Sequence, residues 1–371
     1  MNVQFIETQS ELATVIEALS DASVIALDTE FESNRSGTTL SLVQLTDGEQ
    51  SFVIDALALR DLSAFGPLLE TETVCWVVHA GRQDIELLVQ ATRGIRPAKL
   101  FDTQVGWAMC GPEYQVSLAY LVARVCDTRL PKSHQNDYWL KRPLTEEQIR
   151  YAADDVKYLH DIYSVISDQL SGTPKADMIY EATAESMRPA ASRRSAVSLS
   201  SYRNLWQLDH RQRAALTYLV RWYQGLSDAE RKKAAHHKVL FDIAATLPTS
   251  AEDMASIKSV PARFAHNQGK HLIDGYLDAA ESAVPTSDLA PPSPYASYDA
   301  LLSDAWLHCA RVDICHEARV AVEIGFPQWM QKNLRALLET HDEPSAAAEA
   351  LTGWRSFLQP YWVAYCEATK P

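Results

Sequence analysis

Cysteine is scarce in this chain: there are six in 371 residues, and no two are spaced C-x-x-C. That excludes a disulfide framework and a four-cysteine zinc site. His308-Cys309 and Cys315-His316 look like a ligand pair at a glance. Six residues of helix turn through about 600°, which sends the two cysteines to different faces, so ordinary buried thiols are expected. Glycine and proline, at 13 and 17 residues, are too few for a collagen-like, mucin-like or disordered chain. No apolar run approaches the roughly 18 residues of a membrane span, and Met1 to Glu7 has neither the basic nor the apolar region of a signal peptide. A cytoplasmic protein without a membrane segment is therefore expected. Positive charge is also short, with 34 Lys and Arg against 48 Asp and Glu and a formal net charge of −14. Averaged over the chain, this argues against a polyanionic partner.

At about 100–200 residues per domain, the length predicts two or three domains. Residues 1–170 alternate strand and helix signals. Glu11 to Leu19 is amphipathic, and Val24-Ile25-Ala26-Leu27 reads as a central strand. Leu40 to Leu45 and Ser51 to Ile54 are two further strands joined across Thr46-Asp47-Gly48-Glu49, a hairpin signal, and Val74 to Val78 is a fourth. Helices are expected at 82–91, at 117–125 behind Ser117, and from 145, where Thr145 and Gln148 make a capping box. The sum is an α/β domain with a mixed sheet flanked by helices. Residues 171–204 read as a linker, since Arg188 to Arg203 is rich in Ser, Ala and Arg. Residues 205–283 are helical, with Leu216, Leu219, Val220 and Tyr223 on an apolar face. A proline-rich linker at 284–296 precedes a last helical block at 297–371, so two all-α domains follow the α/β domain.

The chemistry-bearing residues lie in the first domain. Asp28-Thr29-Glu30 ends the most apolar strand, and with a side-chain period of two, Asp28 and Glu30 point to one side, where they can share a divalent cation. Asp84 falls near the start of the helix after the fourth strand, where the helix dipole favours a carboxylate. Tyr151 and Asp155 stand at i and i+4 on the capped helix, and the alanines between them leave a lean face open to close approach. Carboxylates without thiols suit Mg²⁺, which prefers oxygen ligands.

This ordered series resembles the tyrosine-bearing subclass of the DEDD exonuclease superfamily, and within it the ribonuclease D family. The three motifs are Asp28-Thr29-Glu30-Phe31, His79-Ala80-Gly81 with Asp84, and Tyr151-Ala152-Ala153-Asp154-Asp155-Val156. Further similar stretches are Leu42-Val43-Gln44-Leu45, Phe101-Asp102-Thr103-Gln104, Ser117-Leu118-Ala119, Lys132-Ser133 and Trp139 to Gln148. Residues 205–283 look like an HRDC domain, around Trp206, Arg211 to Trp222 and Gly269 to Leu272, and 297–371 like a second, divergent one.

The resemblance implies a ribonuclease H-like fold and a monomeric 3′→5′ exoribonuclease that trims RNA with a free 3′ end, tRNA precursors above all, and releases 5′-mononucleotides. It implies two divalent ions, Mg²⁺ or Mn²⁺. Asp28 would bridge them, Glu30 and Asp155 would complete the site that activates water, and Asp84 would hold the second ion through water. Tyr151 would orient the attacking water. Phe31, Gln44 and His79 are candidate substrate contacts. The alternatives are a DNA 3′→5′ exonuclease with the same site, or an inactive nucleic-acid-binding protein.

Charge is unevenly spread. From Arg188 to Lys238 there are eleven Arg and Lys against three acids, a local +8, so the remainder carries −22. Screening acts over about 8 Å at physiological salt, so a phosphate feels the local stretch more than the distant acidic surface. Arg193, Arg194, Arg211, Arg213, Lys232 and Lys233 are thus candidate RNA contacts.

Overall fold

The structure, a computed structural model, describes residues 2–34, 37–130, 137–188, 197–227, 230–231, 234–287, 289, 297–340 and 344–369. The chain divides into two compact units, Met1–Pro189 with Leu302–Pro371, and Ala190–Leu301. In the first, β1 (Asn2–Ile6), β2 (Val24–Asn34), β3 (Gly37–Thr46), β4 (Gln50–Asp55), β5 (Cys75–Val78) and β6 (Leu100–Asp102) form one sheet in the order β1-β4-β3-β2-β5-β6. β3 is antiparallel to β2 and β4, and the other neighbours are parallel. The helices are α1 (Gln9–Leu19), α2 (Ala56–Leu59), α3 (Gly66–Leu69), α4 (Arg82–Ala91), α5 (Thr103–Ala108), α6 (Leu118–Val125), α7 (Glu146–Lys157), α8 (Leu159–Leu170) and α9 (Lys175–Met187).

The mixed sheet with flanking helices is the expected architecture. Ile25, Ala26 and Leu27 are fully buried because β2 is central and covered on both faces. Ile25 and Leu27 pack with Val43, Leu45, Phe52, Ile54 and Trp76 toward α1 and α4. Ala26 faces the other way, with Cys75, Val77, Phe101 and the α8 residues Ile162 and Ile166. The hairpin at 46–49 closes because Asp47 Oδ1 accepts from the amides of Glu49 (2.9 Å) and Gln50 (2.8 Å) while Gly48 takes φ +96°. The α7 capping box forms in both directions: Gln148 N donates to Thr145 Oγ1 at 3.2 Å, and Thr145 N donates to Gln148 Oε1 at 3.1 Å.

Two boundaries differ from expectation. The stretch 171–204, read as linker, contains α9, whose Met187 joins the core and whose Thr183 Oγ1 accepts from Asp102 N at 3.2 Å. The terminal block, read as a third module, packs on the α/β unit from Leu302 onward. Lys175 Nζ donates to the carbonyls of Met109 (2.7 Å), Ala318 (3.0 Å) and Arg319 (3.0 Å), and Ala321 N donates to Ala108 O at 2.7 Å. Arg355 meets both Glu185 oxygens (2.7 and 2.8 Å) and lies over the Trp354 ring at 4.2 Å. Trp354 itself is buried in the core beneath the sheet. Apolar spacing reveals that a helix has a buried face but not what buries it.

The second unit is all-helical, with His210–Gly225, Val239–Thr246, Ala251–Ser256, Ala262–Asn267 and Ile273–Glu281 around Leu216, Leu219, Ile243, Met254 and Tyr276. Gly275 lies where a Cβ would come within 2.1 Å of the Tyr218 hydroxyl, so these two helices cross too closely for any larger residue.

The Arg355–Glu185 pair is buried on the arginine side (5% exposed) and a third exposed on the other. Arg355→Ala should therefore destabilise the first unit by about 2 kcal/mol, less than a fully buried pair would. Urea unfolding measures this. A loss below about 0.5 kcal/mol would mean that the terminal block is held without the Arg355–Glu185 pair.

Candidate active site

The carboxylates gather where β2 and β5, running parallel, end side by side. On β2, Asp28 and Glu30 face α7 and α8, while Thr29 is buried on the opposite face, toward α4. Thr29 Oγ1 donates to Asp84 Oδ1, so the middle residue of the Asp-Thr-Glu triplet ties the start of α4 to β2. Strand alternation marks Thr29 only as the residue between two carboxylates, and its hydroxyl there is the sequence signal for this tie.

The turn that launches α4 is built around Asp102. Its Oδ1 accepts from Ala80 N at 3.0 Å and its Oδ2 from Gly81 N at 3.1 Å, and Gln104 N also donates to Oδ1 at 2.8 Å. Ala80 has φ +52°, a left-handed conformation that a non-glycine residue holds at a cost of roughly 1 kcal/mol, and these bonds offset it. At Gly81 a Cβ would come within 2.5 Å of the Val78 side chain. Burial pushes the Asp102 carboxyl up to about 6, even against these donors.

Tyr151 and Asp155 come from α7, which lies over β2, β3 and β4 with Ala152 and Ala153 inward, packed on Leu42 and Val53. The Trp139 ring stacks on Tyr151 at 6.1 Å between centroids and 29° between planes. Trp139 is itself pinned, its N donating to Glu32 Oε1 (3.1 Å) and its carbonyl accepting from Ser41 Oγ (2.6 Å) and Arg142 Nη1 (2.8 Å). Arg142 forks onto buried Asp55 through Nε (2.5 Å) and Nη2 (2.9 Å). Ser41 is free to make its bond because the β2–β3 register slips there, from Glu30 opposite Leu42 to Phe31 opposite Leu40.

Asp28, Thr29, Glu30, His79, Leu118, Tyr151, Asp155 and Leu159 line one cleft of about 250 Å³. Burial first, and then the charges of Asp84, Asp155 and Glu30, hold the Asp28 carboxyl well above the ordinary range. Burial, then Asp155 and Asp84, push Glu30 up to about 8; burial, then Asp154, push Asp155 up to about 7. Asp84 is raised by burial, against the Thr29 bond. Burial first, and then Asp155, Glu30 and Asp28, raise the Tyr151 phenol, which stays protonated at neutral pH and keeps its O–H to donate.

Other predicted residues are placed differently. His79 borders the cleft, but Nε2 donates to Val116 O at 3.1 Å and Nδ1 meets Thr103 Oγ1 at 2.9 Å. Burial pushes the imidazole down to about 4, so it is neutral. Gln44 is fully buried and offers a substrate no surface. Phe31 is half-buried past the register slip and does not line the cleft. Arg211 is exposed. Arg213 binds its own unit, through Leu208 O (3.2 Å), Thr286 Oγ1 (2.8 Å) and Ser287 O (3.1 Å). Arg193, Arg194, Lys232 and Lys233 lie outside the described residues.

Among the described residues, no three His, Cys, Asp or Glu side chains are already drawn into a metal-holding cluster. The donors still fit a hard divalent cation: they are all carboxylate oxygens, and Asp28 and Glu30 feel the charges of Asp84 and Asp155, a repulsion that a cation relieves.

Residues 3–171 match the family model of 3′-5′ exonuclease domains. The chain is 33% identical over 288 residues to Ribonuclease D of Pseudomonas paraeruginosa, covering 75% of each. It is 34% identical over 269 residues to that of Escherichia coli, covering 69% of this chain and 70% of the relative. The crystal structure of E. coli RNase D, described as an exoribonuclease involved in structured RNA processing, superposes with a TM-score of 0.69 at 26% identity over 100% of both chains.

A carboxyl with a raised folded-state pKa stabilises the fold fully below its unfolded value, and that contribution is lost as pH rises through the folded value. The window runs from 4.5 to about 8 for Glu30 and from 3.8 to about 7 for Asp155. In EDTA the thermal midpoint should fall between about pH 5 and pH 8, Mn²⁺ should reverse the fall, and Glu30→Gln should flatten it. A midpoint that climbs over this range in EDTA contradicts the electrostatic account.

Proposed function

Because the chain belongs to the ribonuclease D family and is a 3′→5′ exoribonuclease, we propose that Asp28, Glu30, Asp84, Asp155 and Tyr151 form its catalytic site and that it trims the 3′ ends of structured RNA precursors, tRNA above all. The supporting observation is the single cleft in which side chains from β2 and α7 meet, with Asp84 tied to it through Thr29. The resemblance to the family further supports a monomeric enzyme of the cytoplasm, with the RNA precursors.

Asp28, Glu30, Asp84 and Asp155 would hold two divalent ions, Mg²⁺ or Mn²⁺, which when bound lower the pKa of the attacking water and neutralise charge on the leaving oxygen. Hydrolysis forms a bond from water oxygen to phosphorus and breaks the bond from phosphorus to the 3′ oxygen, leaving a 3′-hydroxyl on the RNA and a free 5′-mononucleotide. The Tyr151 phenol, protonated and braced by Trp139, donates a hydrogen bond that orients the water rather than removing its proton. Leu118 and Leu159 give the cleft an apolar wall, against which the terminal nucleotide packs. Exposed Arg211, with Arg188, Arg203, Arg221 and Lys238 exposed in the same basic stretch, is positioned to meet RNA phosphates.

A tRNA carrying extra 3′ residues, digested with Mg²⁺ or with EDTA and read at nucleotide resolution, tests this reading. Wild type should release mononucleotides one at a time, only with the metal. Asp28→Asn and Asp155→Asn should bind RNA normally but lose about 10²–10³-fold or more in rate, and Tyr151→Phe about 10²-fold. Wild-type rates in both Asn variants would overturn the site, and faster digestion of a matched DNA strand would reassign the substrate.

A further inference from the structure

Gln44 is a buried amide with no visible reason to be an amide. It is 0% exposed, and neither Oε1 nor Nε2 has a hydrogen-bond partner among the described residues. Leaving such a group unpaired costs roughly 1–3 kcal/mol, whereas an apolar side chain of similar shape would cost nothing. A compensating gain should therefore be sought in what the amide can reach.

Its neighbours follow from the strand register. Gln44 sits on β3 directly opposite Asp28 on one side and Val53 on the other. Directly opposed residues share a face, so Gln44 is on the Asp28 face of the sheet, under the alanines of α7 that pack on Val53. Opposed Cβ atoms lie about 4.5–5.5 Å apart, within reach of a glutamine by side-chain rotation alone. The adjacent row accounts for itself: Asp55 is held by Arg142, and Leu42 is apolar opposite Glu30. Gln44 is the polar side chain left over in the row that contains Asp28.

We propose that Gln44 is a positioning residue whose Nε2–H donates to the ionised Asp28 carboxylate from the protein side, fixing the orientation in which Asp28 binds its metal. This rests on the reading of Asp28 as a metal ligand. The amide supplies for Asp28 what the Thr29 hydroxyl supplies for Asp84, a neutral side-chain donor that steadies a carboxylate without adding a cation that would compete with the metal. It also explains the absence of surface: a residue acting through Asp28 needs none.

The test uses the full chain, with Mn²⁺ as the probe for calorimetry and Mg²⁺ for resonance shifts. Gln44→Met keeps the shape and removes the amide. Its thermal midpoint in EDTA should stay level or rise, Mn²⁺ affinity by calorimetry should weaken about 10-fold, and kcat should fall about 10-fold with KM for RNA unchanged. A lower midpoint with wild-type Mn²⁺ affinity and kcat would overturn the proposal, since that pattern belongs to a purely structural amide satisfied by buried water. In wild type, the Gln44 side-chain amide resonances should shift when Mg²⁺ is added; if they do not move, the proposal fails even where the variant does not fold. Asp28→Asn separates the two readings. If it keeps full Mn²⁺ binding and activity, the catalytic assignment itself falls; if it loses both while Gln44→Met is silent, only the role of Gln44 falls.

Discussion

Asp28, Glu30 and Asp155 share one cleft under a helix, with Asp84 tied to the same strand through Thr29, and the rest of the α/β unit is arranged to keep them there against their own repulsion. Asp28 sits on the central strand, where both faces are covered and the backbone has least freedom to yield. Asp155 and Tyr151 can come down on it because α7 presents alanines to the sheet. Asp84 is drawn in by Thr29 from the far side of the same strand, and the turn preceding it is fastened by Asp102. Each device is built from apolar, hydroxyl or acidic groups. None places a cation among the acids, so the negative potential is preserved for a ligand that carries positive charge.

The parallel pairing of β2 with β5 makes this economical. Parallel neighbours end at the same edge, so the triplet at the end of β2 and the helix that follows β5 start from adjacent points. The antiparallel excursion through β3 and β4 serves a different end. It lays Gln44 and Leu42 beside Asp28 and Glu30, and brings Asp55 under Arg142 to hold the Trp139 loop against Tyr151. A wholly parallel sheet would have supplied the first arrangement without the second.

What was legible in the sequence follows range of interaction. Asp28 and Glu30 were readable because a strand alternates strictly, and the α7 start because a capping box is a four-residue event. The apolar runs of β2 to β5 were long enough to register, whereas β6 is three residues and β1 is a mixed polar edge strand, below what periodicity resolves. Thr29 and Asp102 were invisible as organisers because each acts on a residue more than twenty positions away. Helix α9 was lost in the composition shift that follows it, and the terminal block was separated from a core it shares because Trp354 and Arg355 find their partner, Glu185, about 170 residues upstream.

The net charge of −14 then takes on a different meaning. An RNase that must hold metal at a carboxylate site has an acidic cleft by construction, and the phosphate it cuts is also negative. Substrate therefore cannot be drawn in by the site itself, and two separate sources of positive charge are required. On the proposed reading, the ions would neutralise the cleft at short range, where Coulomb energies in a buried setting are large. On the same reading, the local excess of the 188–238 stretch would act on the RNA backbone over a screening length of about 8 Å and with strong dependence on salt. Binding and cleavage are thus separable in electrostatic terms: salt should weaken the first by screening exposed arginines, and chelation should abolish the second without touching them. The acidic average of the chain is compatible with RNA because neither source is visible in an average.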